Sequence, residues 1–246
     1  MAALSEPARP EPERVRRIFT AIAGGYDRFN GIASLGLDRL WRREAVRRAR
    51  LSPTSRVLDL AAGTGDLTLA LARQARQARP ALVVSSDFTA SMLSVGRGKV
   101  GRAGERAPVV FSLADAQSLP FCDASFDVLT VSFGLRNFSD RPASYREALR
   151  VLKPGGRLVV LELTHPGFAP FKPVYWLYVR RILPILGMRI AGDRAAYEYL
   201  HGSIQLFPDA PQLALEMEES GFARVEWAKL TLGIVAIHVG HKRAEA

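Results

Sequence analysis

The sequence predicts an α/β fold: a mostly parallel sheet of seven strands with helices on both faces, ending in a C-terminal antiparallel hairpin. After Ser52-Pro53, short β-rich runs alternate with helical runs, which is typical of parallel strands joined by crossover helices. The last two β-rich runs are joined by only Thr231-Leu232-Gly233, too few residues for a parallel crossover. A chain of 246 residues that is 48% hydrophobic can bury the core of one such domain.

Two helices are predicted before the sheet. The first begins near Glu13, because apolar residues then recur with the spacing of an amphipathic helix. These residues are Val15, Ile18, Phe19 and Ile22. Gly24-Gly25 ends this helix, and a second is predicted from about Asp38 to Ala49. We expect residues 13–50 to form a helical lid within a single domain of residues 13–246. Residues 1–12 hold three prolines and no apolar stretch, so they are predicted to be a disordered tail rather than a secretory signal.

Five β-rich runs are predicted to form the parallel part of the sheet. They are Arg56 to Leu60, Ala81 to Ser86, Val109 to Leu113, Phe126 to Ser132 and Arg157 to Leu163. The helices between them are predicted at about Leu67 to Arg76, Ser91 to Val100 and Pro142 to Val151. Lys153-Pro154-Gly155-Gly156 should stop the last helix and turn the chain. The hairpin strands are Arg224 to Leu230 and Ile234 to Gly240, preceded by a helix at Pro211 to Ser220.

A helical insertion is predicted at residues 165–210. Four prolines interrupt its first part, from His165 to Gly192, which is rich in aromatic and aliphatic residues. Apolar side chains here are mixed with Lys172, Arg180, Arg181 and Arg189, a composition suited to an interfacial lid over an apolar channel. Two interpretations stay open: transient contact with a membrane surface, or an apolar cap that supports the sheet or a homodimer contact.

Composition excludes several classes of protein. No run reaches the roughly 18 apolar residues that span a bilayer, so the chain is predicted not to be transmembrane. Cys122 is the only cysteine, which excludes an internal disulfide and suits a cytoplasmic location. The four histidines form no HExxH pattern, so no metal site is expected. The net charge of +10 predicts attraction to anions without choosing among phosphates, nucleic acid and lipid headgroups.

A glycine turn follows the first predicted strand. Asp59 lies in that strand, and Gly63-Thr64-Gly65 leads from it into a helix, whose free N–H groups and close backbone approach favour ligand binding. A dinucleotide fingerprint needs a small residue three positions after the second glycine, where this chain has Thr68. The turn therefore favours a ligand without phosphates over a nicotinamide dinucleotide.

Acidic residues at two further strand ends make this pattern more specific. Asp87, 22 residues after Gly65, is placed to accept bonds from a ribose diol. Asp115-Ala116 follows the third strand, where a carboxylate can accept a bond from an adenine amino group. The ends of neighbouring parallel strands meet at one sheet edge, so these groups should converge on one nucleoside. This convergence predicts a class I methyltransferase, with a Rossmann-like sheet, that uses S-adenosylmethionine.

The fourth strand end bears on what is methylated. Amine N-methyltransferases typically carry an Asp-Pro-Pro-Tyr or Asn-Pro-Pro-Tyr loop there, whereas this chain has Ser132-Phe133-Gly134-Leu135-Arg136-Asn137. That difference counts against methylation of adenine or glutamine nitrogens. Methylation of pyrimidine carbon uses a reactive thiolate, and Cys122, in a predicted turn, is interpreted as a partly buried filler.

Several blocks of the chain resemble the C-methyltransferases of menaquinone and ubiquinone biosynthesis, over nearly the full length after the tail. The matching blocks are Tyr26-Asp27-Arg28-Phe29-Asn30, residues 34–42, residues 58–67, Ser132 to Asn137, residues 199–208 and residues 230–238. The glycine turn is common to many methyltransferases. Phe133 to Asn137 and the N-terminal blocks are the specific part of the resemblance.

The resemblance implies an activity and a set of residues. It implies that Thr64, Asp87, Asp115, Ala116 and Ser132 contact S-adenosylmethionine, and that the substrate is a prenylated quinol, converted from demethylmenaquinol to menaquinol. Many relatives have Asn where this chain has Asp115, and either side chain offers an acceptor oxygen. A ubiquinone precursor, 2-methoxy-6-polyprenyl-1,4-benzoquinol, is the alternative acceptor. Because such quinols lie in the bilayer, the enzyme should reach them from the inner surface of the cytoplasmic membrane.

Four residues are candidates for the chemistry. We hypothesise that Arg136 and Asn137 hold or polarise a ring oxygen, and that Tyr26 and Asp27 close the site from the N-terminal segment. Without the resemblance, Arg136 would be interpreted as a surface salt bridge and Asn137 as a turn former. Two other functions stay open, namely an RNA or other small-molecule methyltransferase and a cofactor-sensing protein without catalysis. No nucleic-acid partner is expected, because no RNA-binding module is appended.

Overall fold

The computed structural model describes residues 10–78, 82–104, 108–191 and 194–245. Within these residues, seven strands form one sheet in the order β3-β2-β1-β4-β5-β7-β6. The strands are β1 Arg56–Leu60, β2 Leu82–Asp87, β3 Val109–Leu113, β4 Phe126–Ser132, β5 Leu152–Leu163, β6 Arg224–Leu230 and β7 Val235–His241. Strands β1 to β5 are parallel, whereas β7 is antiparallel to both β5 and β6. The predicted fold class is confirmed.

Helices lie before, between and after these strands. They are α1 Pro12–Ile22, α2 Tyr26–Ala33, α3 Asp38–Ala49, α4 Asp66–Ala78, α5 Ala90–Ala103, α6 Arg141–Val151, α7 Lys172–Leu177, α8 Leu183–Ala191, α9 Arg194–Leu206 and α10 Ala210–Glu219. A π-helical turn, Tyr178–Ile182, joins α7 to α8. Of the predicted tail, residues 1–9 lie outside the described residues, and Pro12 begins α1.

The sequence pattern missed helix α2. It spans eight residues and buries only Phe29, which is too little apolar periodicity to mark a helix. Gly25 precedes it, the backbone N–H of Ser34 ends it by donating to the carbonyls of Asn30 and Ile32, and the hydroxyl of Tyr178 donates to the carbonyl of Ala33. Tyr26 and Asp27 therefore project from a helix rather than from a loop.

The predicted turn at residues 153–156 is wrong in one respect. Helix α6 does stop at Val151, but β5 begins at once at Leu152 instead of Arg157. Phe126 pairs with Leu152 and Val128 with Arg157, so residues 153–156 form a bulge within the strand. Gly155, at φ +75°, supplies the conformation that this bulge requires.

Apolar clusters cover both faces of the sheet, and a third cluster joins the ends of the chain. Trp41 and Leu71 pack with the strands on one face, and Phe126 and Tyr145 belong to the cluster on the other. The third cluster brings Phe29 of α2, Tyr175 of α7 and Ile204 of α9 together above the sheet edge. None of the helices in the described part of the chain is long and apolar enough to cross a bilayer.

Candidate active site

The glycine turn between β1 and α4 has the conformation that its glycines permit. Gly63 and Gly65 have φ angles of +56° and +79°, in the left-handed region that glycine tolerates. Ala61 and Phe133, on the adjacent ends of β1 and β4, also have positive φ angles of +48° and +57°. A side chain at Gly134 would place its Cβ 2.6 Å from that of Ala61. Positive φ angles and close backbone approach thus occur together at this sheet edge, as is common at functional sites.

A small cavity of about 60 Å³, here called the turn cavity, lies beside this turn. Its polar lining residues include Asp59, Gly63, Thr64, Asp87, Thr89, Ser132 and Asn137. The hydroxyls of Thr89 and Ser132 are buried and have no hydrogen-bond partner among the described residues. Because buried polar groups nearly always have partners, these hydroxyls are suited to a polar ligand that completes them.

Two buried carboxylates support the floor of the turn cavity. Asp87 accepts hydrogen bonds from the backbone N–H groups of Gly63 (2.9 Å) and Thr89 (2.8 Å), which ties the end of β2 to the turn. Asp59 accepts from the hydroxyls of Thr68 (2.6 Å) and Thr130 (2.7 Å). Burial raises the pKa of Asp87, and it raises the pKa of Asp59 to about 6 against the opposing effect of these two hydroxyls.

Asp115 and Ala116 lie outside the turn cavity, after the end of β3. Asp115 is exposed, and its carboxylate accepts bonds from the backbone N–H (2.9 Å) and side-chain amide (3.1 Å) of Gln117. Ala116 is buried in the core. The structure therefore brings together Asp59, Gly63, Thr64, Asp87 and Ser132 along the cavity, with Gly65 inside the turn, and leaves Asp115 and Ala116 apart.

Helix α2 is fastened to the glycine turn by charged groups. The hydroxyl of Thr64 donates to the Asp27 carboxylate, and Lys99 Nζ of α5 lies 2.5 Å from Asp27 Oδ2. Lys99 also lies 2.5 Å from Asp66 Oδ1, at the start of α4. Asp27 therefore contacts the turn from above and lines neither of the cavities described in this section.

A larger cavity of about 380 Å³, here called the apolar cavity, lies next to the turn cavity. Helices α2, α3, α7 and α9 line it together with the ends of β4 and β5, and most of its lining side chains are aliphatic or aromatic. Tyr26, Arg42 and Phe133 line both cavities. The two cavities therefore share part of their walls.

Arg136 lies in the wall of the apolar cavity as half of a buried ion pair. Its Nη1 is 2.7 Å from Glu162 Oε1 and 2.6 Å from the carbonyl oxygen of Phe133, while its backbone N–H donates to Glu162 Oε2 at 3.2 Å. Burial alone would lower the pKa of Arg136, but the Glu162 carboxylate raises it, so the guanidinium stays charged. The Arg136 Nε is buried without a partner among the described residues.

Glu162 is a residue of the candidate site that the sequence did not predict. A single acidic residue within an otherwise apolar strand, Leu158 to Leu163, was the available signal, since a buried carboxylate needs a cationic partner. The alternative interpretation of Arg136 as a surface salt bridge is wrong, because Arg136 and Glu162 have side-chain exposures of 6% and 1%.

Tyr26 lines both cavities, and Asn137, next to Arg136 in the sequence, lines the turn cavity. The side-chain amide oxygen of Asn137 accepts a hydrogen bond from the Tyr199 hydroxyl of α9 at 3.1 Å. Burial raises the pKa of Tyr26, so its hydroxyl remains protonated near neutral pH. Both residues therefore belong to the lining of the candidate site.

No histidine or cysteine among the described residues lines either cavity. His238, in β7, has its Nε2 2.8 Å from the carbonyl oxygen of Ala210, and burial lowers its pKa to about 4. A neutral His238 held in this way has a structural role. Cys122 is exposed, so its interpretation as a partly buried filler is wrong: the turn before β4 leaves it on the surface.

The fold is shared with solved structures that include methyltransferases dependent on S-adenosylmethionine. One similar solved structure is a possible histamine N-methyltransferase, described as dependent on S-adenosylmethionine, from Thermotoga maritima (TM-score 0.64, 18% identity, 92% of this chain and 99% of that chain covered). Another is the [4+2]-cyclase SpnF (TM-score 0.66, 18% identity, 97% and 98% covered). At this identity the likeness shows the fold alone, and the cyclase indicates that the fold does not decide the reaction.

Sequence comparison identifies the family. The model of the ubiE/COQ5 methyltransferase family matches residues 8–242, and the chain belongs to this family. Similar curated proteins include the ubiquinone/menaquinone biosynthesis C-methyltransferases UbiE of Xanthomonas campestris pv. campestris (44% identical over 235 residues) and Shewanella halifaxensis (41% over 235 residues). These alignments cover 96% of this chain and 92% and 93% of the two relatives. The predicted family is confirmed, and the chain is a methyltransferase of the S-adenosylmethionine-dependent class.

Proposed function

We propose that this methyltransferase adds a methyl group to a ring carbon of demethylmenaquinol, producing menaquinol. The observation that carries the proposal is the apolar cavity of about 380 Å³, which adjoins the turn cavity across Tyr26, Arg42 and Phe133. An aromatic ring with a prenyl chain needs such an apolar space, and methyl transfer needs it next to the methyl donor. The names of the curated relatives support the same class of substrate.

The residues of the turn cavity fit the adenosyl part of the cofactor. Asp87 retains acceptor capacity for a ribose diol beyond its two backbone bonds, and the Thr89 and Ser132 hydroxyls offer partners that the protein does not supply. Gly63 and Gly65 let the backbone approach closely, Thr64 belongs to the same turn, and Asp59 holds the floor. We assign Asp115 and Ala116 to the outer, adenine end of this site. When bound, the cofactor supplies a methyl group on a positively charged sulfur.

The residues of the apolar cavity act on the acceptor. A quinol carbon beside a hydroxyl becomes nucleophilic when that hydroxyl loses its proton, and hydrogen-bond donors near the oxygen stabilise the resulting charge. The Arg136 Nε–H is a buried donor without a partner among the described residues, and it belongs to a guanidinium fixed by Glu162. We assign Arg136 and Asn137 to the ring oxygen, and Tyr26 and Asp27 to closing the site against water.

The test is methyl transfer from labelled S-adenosylmethionine by the purified protein. The acceptors are short-chain demethylmenaquinol kept reduced, the same compound oxidised to the quinone, and bulk RNA. Methylation of the reduced quinol alone, at a ring carbon identified by mass spectrometry, is the expected result. Transfer to RNA with no transfer to the quinol would refute the proposal.

A ubiquinone precursor is the second candidate acceptor, since the curated relatives carry both ubiquinone and menaquinone in their names. A short-chain 2-methoxy-6-prenyl-1,4-benzoquinol, assayed beside the naphthoquinol, measures this preference. Comparable kcat/KM values for the two rings would extend the proposal to both acceptors. A kcat/KM higher by ten-fold or more for the benzoquinol would make the ubiquinone precursor, and not demethylmenaquinol, the proposed acceptor.

The proposed substrate lies in a membrane, so the enzyme must take it up from the membrane surface. The rim of the apolar cavity has residues suited to contact with that surface. Leu35 and Val174 line this cavity and are 86% and 61% exposed, and the exposed Arg180 and Arg181 follow on the same helical segment. Apolar side chains flanked by arginines bind anionic bilayers, each basic residue contributing about 1 kcal/mol near the surface. We infer that this rim contacts the membrane transiently.

Flotation with anionic vesicles tests this contact. The wild-type protein should float with the vesicles in low salt and be released in high salt, and Leu35→Glu/Val174→Glu should not float. Leu215→Glu, which changes a leucine of α10 that is 54% exposed and does not line the cavity, serves as the matched control. Equal flotation of all three proteins would contradict the inference. Loss of a dimer in Leu35→Glu/Val174→Glu, with no flotation of the wild type, would indicate a homodimer contact instead.

A further inference from the structure

Tyr175, in the wall of the apolar cavity, has a buried hydroxyl. It lies on α7, lines that cavity, and has only 6% of its surface exposed. Its hydroxyl oxygen has no hydrogen-bond partner within the part of the chain that the structure describes. A buried hydroxyl without a partner costs free energy that a phenylalanine at the same position would avoid. The described part of the protein therefore leaves this buried hydroxyl without a hydrogen bond, which a bound molecule could supply.

Tyr178 provides an internal comparison. It comes one helical turn after Tyr175 and lines the same cavity, but its hydroxyl donates to the carbonyl oxygen of Ala33 at 2.8 Å. That bond ties the π-helical turn to helix α2. Two tyrosines in one cavity wall thus differ in their hydrogen bonding, since one hydroxyl supports the fold and the other has no acceptor among the described residues.

A second unpaired donor lies in the same wall. Arg136 Nε–H is buried without a partner among the described residues, and Arg136 also lines the apolar cavity. Burial raises the pKa of Tyr175 to about 12, although the charge of Arg136 acts to lower it, so the hydroxyl stays protonated at neutral pH. Both groups can therefore donate a hydrogen bond to a bound molecule. A molecule that accepts both hydrogen bonds must carry oxygen acceptors on an otherwise apolar framework.

We propose that Tyr175 donates a hydrogen bond to a ring oxygen of the quinol and so acts, with Arg136, as an acceptor-binding residue. The inference rests on the proposed function, and it extends that function to a residue of the insertion. A site that hydrogen-bonds an oxygen discriminates strongly against the same framework without it, because its own polar groups are then left unpaired. Tyr175 thereby favours oxygenated rings over the apolar lipids that the cavity would otherwise admit.

Tyr175→Phe and Tyr178→Phe form a matched pair of variants. Tyr175→Phe removes one hydrogen bond to the substrate, so its kcat/KM for short-chain demethylmenaquinol should fall about 10-fold. Its affinity for S-adenosylmethionine, measured by calorimetry, should stay within two-fold of the wild-type value. Tyr178→Phe should lower the Tm, because it removes the bond to the Ala33 carbonyl oxygen, whereas Tyr175→Phe should keep or raise the Tm.

A binding measurement separates a hydrogen bond from a change in cavity shape. The probes are short-chain menaquinol and the naphthalene with the same rings, methyl group and prenyl chain but no ring oxygen. Tyr175→Phe should weaken binding of the menaquinol about 10-fold and leave binding of the naphthalene unchanged. Equal losses for both probes, or an unchanged kcat/KM, would overturn the inference, as would a wild-type protein that binds the two probes equally. If the wild type binds the menaquinol preferentially yet transfers no methyl group to demethylmenaquinol, the proposed function fails while the role of Tyr175 in binding stands.

Discussion

The turn cavity and the apolar cavity share three lining residues but are built in different ways. Most of the turn cavity comes from residues 59–138, where successive parallel strands end at one edge of the sheet. The apolar cavity combines residues 26–42 with residues 163–234, and its walls are mainly helices. The first kind of site follows from the fold itself. The second depends on segments far apart in the sequence, and there we place the choice of acceptor.

The largest expected effect tests the buried ion pair in the wall of the apolar cavity. Arg136→Met leaves the Glu162 carboxylate buried and unpaired, so the free energy of unfolding should fall by about 3–5 kcal/mol. Arg136→Met/Glu162→Leu should recover part of that loss, because a pair of apolar side chains can replace a buried ion pair. Denaturant unfolding measures both.

The same two variants separate folding from catalysis. If Arg136 binds the ring oxygen, the double variant should still turn over at least about 100-fold more slowly than the wild type, with cofactor affinity within about three-fold. Recovery of turnover together with stability would restrict Arg136 to a structural role. Equal losses of cofactor affinity and turnover would argue against its assignment to the acceptor.

The next effect belongs to the turn cavity. Asp87→Asn weakens the hydrogen bonds that this side chain accepts from the Gly63 N–H and from a ribose diol. The Kd for S-adenosylmethionine should therefore rise about 10- to 100-fold, as expected for hydrogen bonds to a charged group. The KM for the quinol, measured at saturating cofactor, should not change. Asp115→Asn is the comparison variant, and its effect should be smaller, because Asp115 is exposed and lies outside the turn cavity. A larger effect from Asp115→Asn than from Asp87→Asn would reverse this view of the site.

The pH dependence of the free energy of unfolding should also distinguish the turn cavity from the apolar cavity. Burial raises the pKa of Asp59 to about 6, above its unfolded value of about 3.8, so its protonated form stabilises the fold and that stabilisation is lost as pH rises from about 4 through 6. Asp59→Asn carries no charge and should unfold with about 1–3 kcal/mol more free energy than the wild type at pH 8, the two proteins converging near pH 4. Thermal unfolding from pH 4 to pH 8 without cofactor gives the comparison, and parallel pH profiles of the two proteins would rule out this effect.

The smallest effect concerns the fastening of α2 to the glycine turn. Lys99→Met removes the contacts to Asp27 and Asp66, which are partly exposed, so a loss of about 1 kcal/mol or less is expected, with a few-fold rise in the Kd for the cofactor. High salt should reduce the difference between wild type and variant. Lys153→Met removes a similar ion pair with Asp127, away from both cavities, and should leave the Kd unchanged. A salt-independent effect, or the same effect in Lys153→Met, would show that the ion pairs of Lys99 do not hold α2 against the glycine turn.

Local periodicity predicted most of the fold. Strands β1, β3, β4 and β6 begin and end at the predicted residues, because short apolar runs bounded by turn residues specify strands without knowledge of their neighbours. Helix α2 and the bulge after Leu152 were not predicted. Each is held by contacts with residues distant in the sequence, such as the bond from the Gly155 N–H to the Arg243 carbonyl oxygen.

The sequence by itself determined the α/β sheet, the glycine turn and the family, since each depends on the order and spacing of nearby residues. Only the tertiary structure decided that Arg136 pairs with Glu162, that Asp115 faces solvent and that Tyr175 lines the apolar cavity with its hydroxyl unpaired among the described residues. These facts depend on how helices from both ends of the chain pack over the sheet edge. The partner and burial of a polar side chain are set by residues distant in the sequence, and the spacing of nearby residues does not record them.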